Sequence, residues 1–220
     1  MAGVDPVKLK IKDDKIHCVS KTGNFFLYAT CEVEADEDRV INLLDIDSFN
    51  KAISCIQDGN VELEISDNYI RYASASVKLQ HYLYDDALAK PDRFDPSKLA
   101  ALSKDINLPL SKEQLSKIIK ASTINPAINK AYFKSEHGQL WATLTDKEVT
   151  NTNSMEVNLG EIDEEFEGEI ILPTEFVMYP ASLPSKEFTI QINNEQQIVL
   201  ICIEFDGGSA LTYVCPGLKK

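Results

Sequence analysis

The stretches INLLDIDSF (residues 41–49) and IILPTEFVM (residues 170–178) follow one plan, an apolar run leading into a short helical segment, and place Phe49 opposite Phe176. The likeness extends outward from both. Upstream, the hairpin KLKIKDDKIHCVSK (8–21) answers KAYFKSEHGQLWATLTD (130–146), and the acidic stretch EVEADEDR (32–39) answers EIDEEFEGE (161–169). Downstream, VELEISDN (61–68) answers FTIQINNE (188–195), and each half closes with two more strands. The spacing stays near 127 residues through these later parts. A recurring order of parts at a fixed spacing is the mark of a duplicated unit. The expected architecture is therefore an α+β domain present twice, over residues 1–87 and 107–220, joined by a connector at 88–106 that holds mixed charge and prolines.

Strands dominate both halves. VKLKIKD, KIHCVSK, FFLYATCEVE, VELEISD, YIRYASASV, LQHYLYD, AYFKSEH, LWATLTD, EFTIQIN and QIVLICIEF all alternate with period two, and turn signals such as DD, DGN, HG, NNE and DGG separate them. Helical signals are few. In DIDSFNKAISCI (45–56), Asp47 is the expected N-cap, with Phe49, Ala52, Ile53 and Ile56 on the buried stripe and Lys51 on the opposite side. TEFVMYP (174–180) is a third, short helix.

The helix predicted over SKEQLSKIIKAS (111–122) begins with a capping box, in which Ser111 and Gln114 satisfy one another. That phase puts Leu115, Ile118 and Ile119 on one arc and Lys112, Lys117 and Lys120 on the other. The second half thus opens on a lysine-bearing helix. The first half has only MAGVDP before its hairpin, so a leading helix is expected to be missing there.

The chain has 220 residues and a formal net charge of −13. On average it repels nucleic acid and anionic membranes, so any contact with a polyanion has to be local. It has neither a long apolar span nor a signal-like start, and a soluble, intracellular protein is expected. The five cysteines, Cys18, Cys31, Cys55, Cys202 and Cys215, sit singly in apolar runs and read as reduced core residues. The phosphate-cradle, nucleophile-elbow and zinc-helix motifs do not occur, and His17, His81 and His137 are scattered. The acidic runs at 34–38 and 163–165 lack the pattern of a calcium loop and read as solvated. No catalysis, metal or cofactor is expected.

A duplicated, strand-rich domain with sparse lysine-bearing helices and a strongly acidic total resembles the DNA polymerase sliding clamps. INLLDIDSFNKAISCI followed by VELEISDNYIRYASASVKLQHYLYDD is similar to the first-domain helix and strands of the T-even bacteriophage clamp. LPLSKEQLSKIIKAST is similar to the helix that opens that family's second domain. The resemblance implies a homotrimeric ring around duplex DNA, with antiparallel sheets outside and helices inside. On that reading Lys112, Lys117, Lys120 and Lys51 face the phosphates. It also implies a clamp loader ATPase, a replicative polymerase attached by its C-terminal peptide, use in late viral transcription, and a home in the infected bacterial cytoplasm. The strands near KLQHYLYD and ALTYVC are the expected open edges for ring closure. The competing reading is a β-rich phage tube or adaptor protein, which also forms rings.

Overall fold

The computed structural model describes residues 7–22, 24–56, 61–85, 95, 97–124, 128–149, 153–185 and 187–218. The expectation of a missing leading helix falls on residues 1–6, outside them. The chain divides into two compact units: residues 1–20 with 30–94, and residues 21–29 with 95–220.

In unit 1, β1 (Val7–Lys12) pairs with β2 (Lys15–Thr22) across a turn at Asp13 and Asp14, both at positive φ, where Asp is one of the few residues tolerated. Strand β3 (Phe25–Glu32) ends in this unit, and β4 (Arg39–Leu43) pairs with β1 on its other side. A short helix, α1 (Ile46–Ile53), leads to an antiparallel sheet ordered β5 (Glu64–Ile65), β6 (Tyr69–Ala73), β7 (Lys78–Tyr82). The core here is small: Ile11, Ile41, Leu43 and Ile70 are buried, with Leu9, Ile46, Phe49 and Leu83 packed against them.

Three details differ from the sequence reading. The cap of α1 is Asp45, whose carboxylate accepts from the Ser48 amide at 2.9 Å, and Asp47 lies in the first turn. The helix stops at Ile53, before Ile56, and none of its residues is fully buried. VELEISD forms only the two-residue β5, because its alternation belongs to a segment paired for just two positions.

Unit 2 begins, after the four-residue helix α2 (Ser97–Ala100), with β8 (Ile106–Ser111) and α3 (Lys112–Ile124). The hairpin β9 (Lys130–Glu136) and β10 (Gln139–Leu144) follows, then β11 (Met155–Glu161), β12 (Ile170–Pro173) and α4 (Glu175–Ser182). The last strands are β13 (Glu187–Asn193), β14 (Ile198–Phe205) and β15 (Ser209–Pro216). One sheet runs β11-β10-β9-β12 and the other β15-β14-β13-β8, antiparallel throughout. The duplication is visible in the pairing, since β4-β1-β2 recurs as β12-β9-β10 and β5-β6-β7 as β13-β14-β15.

The unit 2 core is far larger. Phe133, Phe176, Phe188, Leu115, Leu140 and Leu172 are among its fully buried side chains, each contributing roughly 1.5–3 kcal/mol by burial. Residues 21–29 of β3 and its approach belong to this unit, and Phe25–Ala29 lie beside β15. ALTYVC is therefore an interior strand and not an open edge, a correction that no local pattern could have signalled. In β11, a register shift opposite Leu140 and Trp141 leaves Leu159 unpartnered in the ladder. Gly160 sits there at φ +138, where a Cβ would lie 3.1 Å from Leu108 Cδ1, so glycine is required.

The cysteines are all reduced, as expected, but only Cys215 is buried; Cys55 is exposed just past α1, and the other three are half-buried.

Candidate nucleic-acid interface

Helix α3 starts directly from the end of β8, so the cap has to stop one structure and begin another. It does so reciprocally: the Gln114 amide donates to Ser111 Oγ at 3.2 Å, and the Ser111 amide donates to Gln114 Oε1 at 2.7 Å. Gln114 also donates from Nε2 to the Leu159 carbonyl at 2.7 Å, fixing the helix start to β11. Leu115 and Ile118 are fully buried and Ile119 packs on the same core. This sets the rotation of the helix and leaves Lys112, Lys117 and Lys120 exposed on one side.

The three amines have different surroundings. Lys112 Nζ donates to the Leu183 carbonyl at 2.9 Å, at the C-cap of α4, where the helix dipole favours a cation. Lys117 pairs with Glu113 one turn earlier at 3.0 Å. That order, Glu before Lys at i,i+4, is the favourable one. The Lys117 ammonium, with a smaller share from Lys120, holds the Glu113 carboxyl below the usual carboxylate range. The Lys120 amine meets no hydrogen-bond or ion-pair partner among the described residues. The hydroxyls of Ser116 and Thr123 fold back onto the carbonyls of Lys112 and Lys120, both at 2.7 Å, and so do not compete for a ligand.

Two groups on this surface escaped the sequence reading. Glu113 lies within the lysine segment and offsets part of its charge. Helix α4 packs against α3 and exposes Glu175, Met178 and Tyr179, with no basic residue of its own. The signal for Glu113 was the four-residue spacing to Lys117. Lys51 is exposed near the end of α1 in unit 1, and its carbonyl accepts from Ser54 Oγ at 2.7 Å. The structure thus brings Lys112, Lys117 and Lys120 onto one helix face, while Lys51 stands on a helix of the other unit.

Elsewhere in unit 2, three lysines of the β9–β10 region are tied to carboxylates. Lys134 bridges Glu136 at 3.2 Å and Glu156 at 2.9 Å, Lys130 pairs with Glu148 at 2.7 Å, and Lys147 pairs with Glu169 and lies 4.4 Å from the centre of the Tyr132 ring. On α3, Lys117 is tied in the same way to Glu113 and Lys112 bonds a backbone carbonyl, so Lys120 is the lysine of that row held clear of such pairing among the described residues. Among the described residues no group of three or more His, Cys, Asp or Glu side chains is placed to hold a metal ion. No helix among them is long and apolar enough to cross a membrane.

No protein-family model matches the chain, and no curated protein does. Solved structures match it throughout. The DNA polymerase III β-subunit sliding clamp of Bartonella birtlesii is 19% identical with a TM-score of 0.71, over 99% of this chain and 60% of that one. The DNA polymerase sliding clamp of Caulobacter crescentus is 14% identical with a TM-score of 0.73, over 99% and 58%. The Pseudomonas aeruginosa sliding clamp bound to griselimycin is 12% identical with a TM-score of 0.75, over 98% and 57%. The chain has the fold of DNA polymerase sliding clamps, and spans about three fifths of the length of these bacterial relatives.

Proposed function

We propose that this protein is a sliding clamp, a non-catalytic processivity factor that encircles duplex DNA and tethers a replicative polymerase. The observation that carries the reading is a clamp fold over essentially the whole chain, joined to a lysine face on α3 in a protein of net charge −13. Lys117 and Lys120 meet the phosphates, and Lys112 spends part of its charge on α4. Lys51 serves the same purpose from the first domain. Lysine is a flexible point charge and phosphate contacts carry no base information, so every register along the duplex has similar energy and the ring slides. Retention comes from closure around the strand and not from affinity.

The domains are residues 1–87 and 107–220 with the connector between, and three chains form the ring. Its partners are a clamp loader ATPase, the C-terminal peptide of the polymerase and, in the T-even phage setting that the sequence resembles, the late transcription machinery in the host cytoplasm. The fold match favours this over a tube or adaptor protein.

The test is topological. After loading by a clamp loader, the protein should remain on nicked circular DNA through gel filtration and be lost when the circle is cut once. Equal retention on circular and linear DNA would exclude an encircling ring.

A further inference from the structure

We infer that the face of the β4-β1-β2 sheet turned away from the unit 1 core is a docking surface for an acidic peptide in extended conformation. The inference is independent of the ring reading, since it concerns the side chains of one unit and not its assembly.

The first ground is strand register. Leu9 and Ile11 pack into the unit 1 core, so the alternate residues of β1, Lys8, Lys10 and Lys12, share the opposite face. Residues directly paired across two strands lie on the same side of the sheet. Lys10 is paired with His17 of β2 and Val40 of β4, and Lys12 is paired with Lys15 of β2. Lys10, Lys12 and Lys15 are exposed, and so is Val40. Like charges directly opposite one another repel, and Lys12 against Lys15 is such a pair. Neither of these two lysines has an ion-pair partner among the described residues. A hairpin that keeps a repulsive pair breaks a local rule of sheet pairing, and such breaks are expected where a site is built.

The second ground is the other repeat, which closes the same face. By register Tyr132 stands in the place of Lys10, paired with Thr143 and Ile171, and Trp141 stands in the place of Lys15, paired with Lys134. Tyr132 and Ile171 are buried there. Lys130 and Lys134, in the places of Lys8 and Lys12, are held by Glu148 and by Glu136 and Glu156. One fold carries this face in two forms, self-satisfied in unit 2 and cationic in unit 1.

Charge complementarity selects the occupant. Alternate residues of a strand lie about 6.6–6.8 Å apart, which is also the repeat of alternate side chains in an extended peptide, so carboxylates at every second position can follow Lys8, Lys10 and Lys12. Val40, beside Lys10, is covered as the peptide crosses. The cationic run is bounded at the hairpin turn: Asp13 and Asp14 follow Lys12, the Asp13 amide donates to Asp38 Oδ1 at 3.3 Å, and Glu32 lines a cleft with Lys15. A nucleic-acid strand would run on into these carboxylates, and the three strands carry no Phe, Tyr or Trp for a base to stack on. A short acidic segment ends before them.

The experiment measures the fluorescence anisotropy of a fluorescein-labelled peptide of alternating glutamate and serine against the wild type and the double variant Lys10→Glu/Lys12→Glu, with circular dichroism to verify folding. The wild type should bind, with affinity falling as salt is raised, and the double variant should bind about tenfold more weakly or not at all, because two exposed ion pairs become repulsions. In the free protein, urea denaturation of Lys12→Gln, Lys15→Gln and the two combined should show coupling of the repulsive sign, the pair of changes gaining less stability than the sum of the single ones. Absence of binding by the wild type, equal binding by the double variant, or coupling of zero or attractive sign overturns the inference. Preferential binding of a single-stranded oligonucleotide of equal charge overturns it too. Retention on nicked circular DNA is read separately for both proteins. Its loss in both, with the peptide result intact, removes the clamp reading and leaves the docking face standing, whereas retention in a protein that ignores the peptide does the reverse.

Discussion

Lys112 Nζ donates to the Leu183 carbonyl at 2.9 Å, so one lysine of the α3 row ties its own helix to the end of α4. The three lysines therefore separate into a partly structural one and two outward ones. Lys112→Met should cost about 0.5–1.5 kcal/mol of stability, the usual net worth of such a bond. Lys120→Met should stay within about 0.5 kcal/mol, as a surface change away from any special contact. Urea denaturation of the two variants decides this, and equal losses would mean that the Lys112 bond does not persist in solution.

For DNA the order reverses. Lys120→Glu and Lys117→Glu should weaken loading and processive synthesis on every template alike. If Lys120 meets a phosphate, Lys120→Met should reduce the slope of log affinity against log salt by about one. Processivity at several salt concentrations is the readout, and an unchanged slope for Lys120→Met removes that residue from the interface.

The helix start offers a cleaner stability test. Ser111→Ala removes the acceptor of the Gln114 amide and costs about 1 kcal/mol, as loss of an N-cap does. The change should lower the denaturation midpoint without altering its slope. A null result would show that the Gln114 side chain, held by Leu159, supports the turn by itself.

The capping box, the lysine arc and the duplicated order of elements were all legible in the chain, because each is a local pattern or a repetition of one. Period-two alternation located β1, β2, β13 and β14 nearly to the residue. It missed β8 and β11: the INLPLS run carries a proline, and MEVNLGE contains a bulge that breaks the period. It also placed the cap of α1 two residues late, since Asp45 and Asp47 are equivalent as residue types and only the chain path chooses between them. The interior position of β15 was invisible because its neighbour comes from nearly two hundred residues away. Nor could the string SKEQLSKIIKAS show that Lys112 would find a backbone carbonyl on another helix.

Thiol reactivity follows burial. Cys55 is exposed, whereas burial pushes the Cys215 thiol up to about 12. Because the thiolate is the reactive form, a small alkylating reagent at pH 8 should label Cys55 in the native protein and reach Cys215 only after denaturant is added. Peptide mass mapping after timed quenching reads this, and native labelling of Cys215 would show that β15 opens readily.

On the face of β9 and β11, the Lys134 ammonium, with the Thr143 hydroxyl second, holds the Glu156 carboxyl below the usual range. A lowered carboxylate contributes stability that is present above its unfolded value, near 4.3, and is lost as pH falls through the folded one. The stability difference between wild type and Lys134→Met should therefore be larger at pH 7 than at pH 3. Lys134 is itself raised, by Glu156 and then Glu136, and that contribution is lost only on the alkaline side, beyond this window. Because Glu156 is about half exposed, the effect is screened and should shrink further in high salt. Urea midpoints of both proteins at pH 7, 5 and 3 give the comparison, and a difference that stays constant across that range would show that packing of the lysine stem, and not its charge, is what Lys134 contributes.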